Sequence, residues 1–122
     1  MTKYRRKKLN TLLHELIVLR DGERCLRCGK VGVLHMSHIY PKGAYRGMQY
    51  DPENLKFLCV RHHLFWWHRD PIGAKEWLIK AISRERLARL KKKSNSIIKP
   101  NYEKIKKDLE EEIQRLKMEK EV

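Results

Sequence analysis

The sequence predicts a small α+β fold, and three observations carry that prediction. Two pairs of thiol and imidazole side chains repeat one spacing, Cys25-x-x-Cys28 and Cys59-x-x-His62. Between them lies a short apolar, β-branched stretch over residues 31–39, which has the character of a strand. Before and after this centre, apolar residues recur at three- and four-residue intervals, the period of helices with one buried face. The chain therefore divides into a basic N-terminal helix (1–24), a metal-stapled centre (25–70), an amphipathic basic helix (71–93), and a linker with a C-terminal helix (94–122).

Residues 2–20 open with Lys3-Tyr4-Arg5-Arg6-Lys7-Lys8 and then set Leu9, Leu12, Leu13, Leu16 and Ile17 on one helical face, until Asp21-Gly22 stops the helix. The basic start reads as a phosphate grip or as a solvated arm. Cys25-Leu26-Arg27-Cys28-Gly29 follows as a knuckle, with glycine to turn the chain back. Zinc held by two thiolates needs two more ligands, and Cys59 with His62 supplies them, so Cys25, Cys28, Cys59 and His62 read as one structural zinc site. The competing reading makes the cysteines small buried hydrophobes. A two-stranded hairpin alone is marginal in water, and a metal tying its ends would stabilise it.

Residues 31–39 are expected as the first strand, 41–47 as a loop, 48–50 as the returning strand and Asp51-Pro52-Glu53-Asn54 as a turn. A helix over 58–68 would then carry His63 near its start. His63 and His68 are five apart, so they are not expected to share a helical face. Phe65, Trp66 and Trp67 read as core, because so small a domain needs aromatic burial. Asp70-Pro71 is a helix opening, acid as cap and proline at the first helical position. Ala74, Trp77, Leu78, Ala81, Ile82, Leu87 and Leu90 then give an amphipathic helix with Lys75, Lys80, Arg84, Arg86 and Arg89 around the rest. Residues 91–96 break the pattern as a linker. From Pro100-Asn101, the stripe Tyr102, Ile105, Leu109, Ile113 and Leu116 either packs back on the first helix or pairs with its twin in a homodimer.

The formal net charge is +14, and residues 1–99 hold 23 Lys and Arg against 8 Asp and Glu. A polyanion is the expected partner, bound more weakly as salt rises. Charge alone does not separate a DNA binder from an RNA binder or from a merely basic protein. No apolar stretch approaches the roughly 20 residues of a membrane span. With no signal-peptide pattern and thiols at metal spacing, the expectation is an intracellular protein without a membrane role.

Five of the six histidines fall within residues 35–68. Hydrolysing a phosphodiester needs a base that works near neutral pH, and imidazole is closest to that range, a role His38 fits. A divalent cation would stabilise the charge building on the phosphate, and His63 could anchor it. A buried amide such as Asn54 could brace the base.

The ordered pattern Cys25-x-x-Cys28, His38-Ile39, Asp51-x-x-Asn54 and Cys59-x-x-His62-His63 resembles the HNH, or His-Me finger, nucleases, and more narrowly zinc-containing phage forms such as the NinG-type recombination proteins. The resemblance covers about residues 25–68. It implies a ββα-metal core, His38 as general base, Asn54 as the brace of its loop, and His63 as ligand of a catalytic Mg²⁺ or Mn²⁺. The implied substrate is DNA, duplex or branched as in recombination intermediates, and a phage protein would act in the host cytoplasm. The glycine-punctuated loop with Lys42, Tyr45 and Arg46 reads either as a contact to backbone or an unstacked base or as a plain connection, and Arg61 is a further candidate contact. There are two departures. His62 stands where many members carry a second zinc cysteine, and Ser37 where many carry an acid or histidine before the base. Serine is a poor ligand, so the catalytic metal would lean on His63 and water or recruit His68 or His35. The rival expectation is a non-catalytic zinc-containing DNA- or RNA-binding module.

Overall fold

Residues nine to seventeen of the chain set the first element. In the computed structural model, which describes residues 1–121, helix α1 spans Lys3–Asp21 and buries Leu9, Leu12, Leu13, Leu16 and Ile17. Thr2 caps it, its hydroxyl accepting from the Arg5 N–H, and Gly22 ends it at φ 84°, a left-handed conformation natural to glycine. The last helix, α5 (Tyr102–Lys120), lies against α1 through Leu109 and Ile113, with Arg5 over the Tyr102 ring and Lys117 paired to Glu15. The C-terminal stripe thus packs back on the first helix.

Strand β1 (Leu34–His38) pairs antiparallel with β2 (Leu55–Cys59), in the register Leu34 to Cys59 through His38 to Leu55. This corrects two expectations. Residues 48–50 do not return as a strand; a 3₁₀ turn at Arg46–Met48 and another at Pro52–Asn54 carry the chain to β2 instead. Leu58 and Cys59 belong to that strand, not to a helix. The physical reason is that β2 is buried along its whole length: Leu55 and Phe57 join the α1–α5 core, while Leu58 and Cys59 pack with Cys25. A strand covered on both faces has no alternation to reveal it.

Helix α2 (Val60–His62) runs directly into a π-helical turn, His63–Trp67. Of the three aromatics expected as core, Trp67 is half-buried and packs against the core; Trp66 is half-buried against Trp77 and Arg27 outside it, and Phe65 is 61 % exposed. The segment over 71–93 is two helices, α3 (Pro71–Ala81) and α4 (Arg84–Ser94). Asp70 caps α3 through the Gly73 N–H; Ile82 then turns extended and Ser83 caps α4 through the Arg86 N–H. The apolar face shifts phase between Ile82 and Leu87, and the bend lets Leu78, Ile82 and Leu90 all converge on Met48. Residues 91–94 thus close α4 rather than open a linker, and Lys93 is tied to Asp51 and Glu53. No helix among the described residues is long and apolar enough to cross a membrane.

Candidate metal centre and histidine cleft

The knuckle is set by its own backbone. The Gly29 N–H reaches the Cys25 carbonyl at 2.8 Å, the Cys25 N–H reaches the Lys30 carbonyl at 3.0 Å, and Gly29 sits at φ 76°. The Leu26 N–H donates to the Phe57 carbonyl at 2.9 Å, which hooks the knuckle onto β2. Cys59 ends that strand and His62 lies three residues on in α2, so four donor atoms converge within 4.8 Å of one another. His62 Nδ1 is 3.7 Å from Cys25 Sγ and 3.4 Å from Cys59 Sγ, and Cys28 Sγ is 4.0 Å from Cys59 Sγ. A tetrahedron of nitrogen and sulfur about 2.0–2.3 Å from zinc has edges of about 3.3–3.8 Å, so this Cys₃His set fits a closed structural zinc site. Burial pushes the Cys25 thiol up, but N–H donors of Cys59 and Cys28, with His62 and Arg27, outweigh it and bring it down to about 6, towards the thiolate that a metal requires. Outside the set, the Arg27 guanidinium lies 4.0 Å over the Trp66 ring, fastening the knuckle to the following turn.

The second group of histidines faces a different space. His38, at the end of β1, donates from Nε2 to the Gln49 carbonyl at 2.9 Å. A carbonyl only accepts, so the neutral ring carries its proton on Nε2 and keeps its lone pair on Nδ1. Burial lowers the His38 pKa, the Lys42 and Lys56 cations lower it further, and the Gln49 bond opposes them.

His63 and His68 meet, which corrects the expectation from their spacing. In the π turn the His68 N–H bonds to the His63 carbonyl, five residues back, so residues five apart come into line and the two Nε2 atoms lie 3.0 Å apart. On the other side of the ring, His63 Nδ1 is 2.8 Å from His35 Nδ1. Burial first, then neighbouring His68 and His35, hold His63 down at about 4. With His35 accepting a hydrogen bond from Nδ1–H, the lone pair of His63 Nε2 points to the side where His68 Nε2 lies, and such a bond to the far nitrogen is the usual outer support of a metal-binding histidine.

His38, His63 and His68 line one cleft of about 740 Å³, together with Lys42, Lys75 and an apolar wall, and no Asp or Glu among the described residues lines it. Of the other candidates for contact with nucleic acid, Tyr45 is half-buried and packs edge-on against Tyr40 at 5.0 Å. Arg46 is exposed and lines a separate cavity between the 51–53 turn, α4 and α5. Arg61 is exposed on α2 and does not line the histidine cleft.

Asn54 is fully buried outside the cleft and ties its rim together. Its Oδ1 accepts from the Tyr40 N–H at 2.8 Å, and its Nδ2 donates to the Tyr40 and Met48 carbonyls at 3.0 and 3.1 Å. Two arginines hold the turn that carries it. Arg20 donates to the Pro52 and Leu55 carbonyls, both at 2.7 Å, and Arg86 donates to those of Glu53 and Leu55 at 2.9 and 3.0 Å. Nothing in the sequence marks them out, because their partners are backbone atoms. Removing Arg86 strands the Glu53 carbonyl in a part-buried site, leaves the Leu55 carbonyl to Arg20 alone, and opens the space its side chain filled. Arg86→Ala should therefore lower unfolding stability by roughly 2–3 kcal/mol, and Arg86→Lys should restore only part, since an ammonium lacks the fork. Urea titration checks this; a loss under about 0.5 kcal/mol for the alanine variant would refute the clamp.

No protein-family model, no curated protein and no solved structure matches the chain.

Proposed function

We propose that the protein is a metal-dependent DNA endonuclease of the HNH type, hydrolysing phosphodiester bonds with His38 as general base. The observation that carries this reading is the meeting of His38, His63 and His68 in one acid-free cleft, on a chain of net charge +14. The chain order β1, β2, α2, with the base ending the first strand and His63 opening the π turn that continues α2, supports a ββα-metal core.

With Nε2 committed to Gln49, Nδ1 of His38 takes the proton of the attacking water. Its lowered pKa keeps the ring neutral and competent at pH 7. Asn54 fixes the backbone of Tyr40 just beyond the base, so His38 stays aimed. His63 and His68 would hold the catalytic divalent ion through their Nε2 atoms, with His35 behind His63. Two imidazoles without a carboxylate suit Mn²⁺ better than Mg²⁺, which demands oxygen ligands. Such an ion, when bound, neutralises charge developing on the phosphate. Lys42 and Lys75 add fixed positive charge at the same cleft. Cutting of branched recombination intermediates is the narrower form of this proposal, resting on the NinG-like pattern.

The test is cleavage of a labelled four-way junction and a matched linear duplex, with Mn²⁺ or Mg²⁺, by wild type and by His38→Ala at equal zinc content. Wild type should cut, more with Mn²⁺, and the variant should lose about 10²–10⁴-fold in rate. The base form of His38 is lost only as pH falls through a pKa below 6.5, so the rate should hold from pH 8 to 6.5 and drop below it. Binding of both DNAs without cleavage under any divalent ion would replace this reading with a zinc-containing DNA-binding module. Ser37, buried and bonded to Lys56 rather than offered to a metal, favours that rival.

A further inference from the structure

The cleft is larger and more apolar than a phosphate alone requires. At about 740 Å³ it falls in the roughly 300–1,000 Å³ range of sites that engulf a drug-sized molecule, which is the scale of a nucleotide. Ile39, Tyr40, Trp67, Leu78 and Ile79 line it, together with the three histidines and two lysines. Apolar and aromatic surface is what a nucleobase stacks on, whatever its identity, while imidazoles and ammonium groups suit its phosphate. A fully paired duplex offers phosphates but keeps its bases stacked inside.

We propose that this cleft accepts an unpaired DNA nucleotide, its base against the Ile39, Tyr40, Trp67, Leu78 and Ile79 wall and its phosphate at the histidines with Lys42 and Lys75. The inference rests on the nuclease reading for what is cut, and it names the substrate as DNA containing unpaired nucleotides: a single strand, a bulge or a branch point. Charge complementarity supports this occupant, since the lining carries two lysines and no carboxylate. Extruding a base from intact duplex costs its pairing and stacking, and an already unpaired base escapes that cost. Preference for unpaired DNA then follows without any contact that reads sequence.

Ile79 and Ile72 provide the test. Both sit on α3 and both are exposed, 55 % and 76 %, so a polar replacement is tolerated at either. Ile79 lines the cleft and Ile72 does not. Binding is measured by fluorescence anisotropy at fixed salt, using zinc-loaded chain carrying His38→Ala so that nothing is cut. The probes are a bulged duplex, a single strand and a fully paired duplex of equal length. The expected result is at least tenfold tighter binding of the bulged duplex than of the paired one. Adding Ile79→Glu should collapse that ratio towards one, while adding Ile72→Glu, the same charge change on the same helix, should leave it intact. Equal or tighter binding of the paired duplex, or a ratio unmoved by Ile79→Glu, would overturn the proposal. Cleavage by wild type is scored separately, so failure to cut would end the nuclease reading while the binding ratios still decide this one.

Discussion

Cys59→Ser, and equally removal of the metal by a chelator, is expected to abolish the cooperative unfolding transition of the sheet and everything docked on it. The sheet has two strands of five residues each, too little to persist alone in water. Residues 22–33 bury little besides Cys25, so nothing apolar holds the knuckle down once its ligands part. A structural zinc contributes on the order of 10–16 kcal/mol, comparable with the whole stability of about 5–15 kcal/mol of an ordinary domain. The packed pair α1 and α5 contains no ligand and should keep part of the helical signal, which separates local collapse from complete unfolding. Metal analysis should find one zinc per chain in the purified protein. Thermal melts with and without chelator then decide: a metal-free chain that melts at the same temperature as the loaded one would rule the staple out.

How far the sequence discloses the fold depends on whether a residue's role is written in spacing. The helices α1 and α5 and the Cys₃His set are legible because helical period and ligand spacing are local patterns, and the structure brings Cys25, Cys28, Cys59 and His62 together. Strand β2 is not legible: Leu55-Lys56-Phe57-Leu58-Cys59 has no polar face, and a short apolar run reads equally as buried helix. Its lysine, fully buried, is a residue that pattern reading assigns to solvent. The meeting of His63 and His68 is hidden for another reason. Five residues apart means divergence on an α-helix and alignment on a π turn, and no composition signal announces the π turn in His63–Trp67. His35 as the support of His63, and the Arg20–Arg86 clamp behind Asn54, depend on tertiary distance alone.

Lys56→Met is expected to raise stability at pH 7 and to flatten its dependence on pH. The Lys56 side chain is fully buried and, among the described residues, faces no carboxylate and has one hydrogen bond, to Ser37 Oγ at 3.1 Å, with its Nζ 3.3 Å from the centre of the Trp67 ring. Burial first, then repulsion from Arg86, brings its pKa from 10.5 down to about 6. The unfolded chain keeps the amine near 10.4. Between pH 6 and about 10.5 the unfolded state therefore binds a proton that the folded state lacks, and stability climbs with pH across that window. At about 1.4 kcal/mol per unit, several kcal/mol of stability are withheld at neutral pH. Methionine fills the same space without the penalty and gives up one bond to Ser37 worth about 1 kcal/mol, leaving a net gain of roughly 2–4 kcal/mol. Urea unfolding of both zinc-loaded proteins from pH 6.5 to 9.5 should show their difference shrinking as pH rises; parallel curves would refute the assignment. A residue that costs the fold this much beside the candidate base is the kind of local conflict that function preserves. Once it regains its proton in the acid range, Lys56 also adds to the burial and the Lys42 charge that lower His38. The methionine variant should therefore move the acid limb of the proposed cleavage upward, towards 6.5, while the protein becomes harder to unfold.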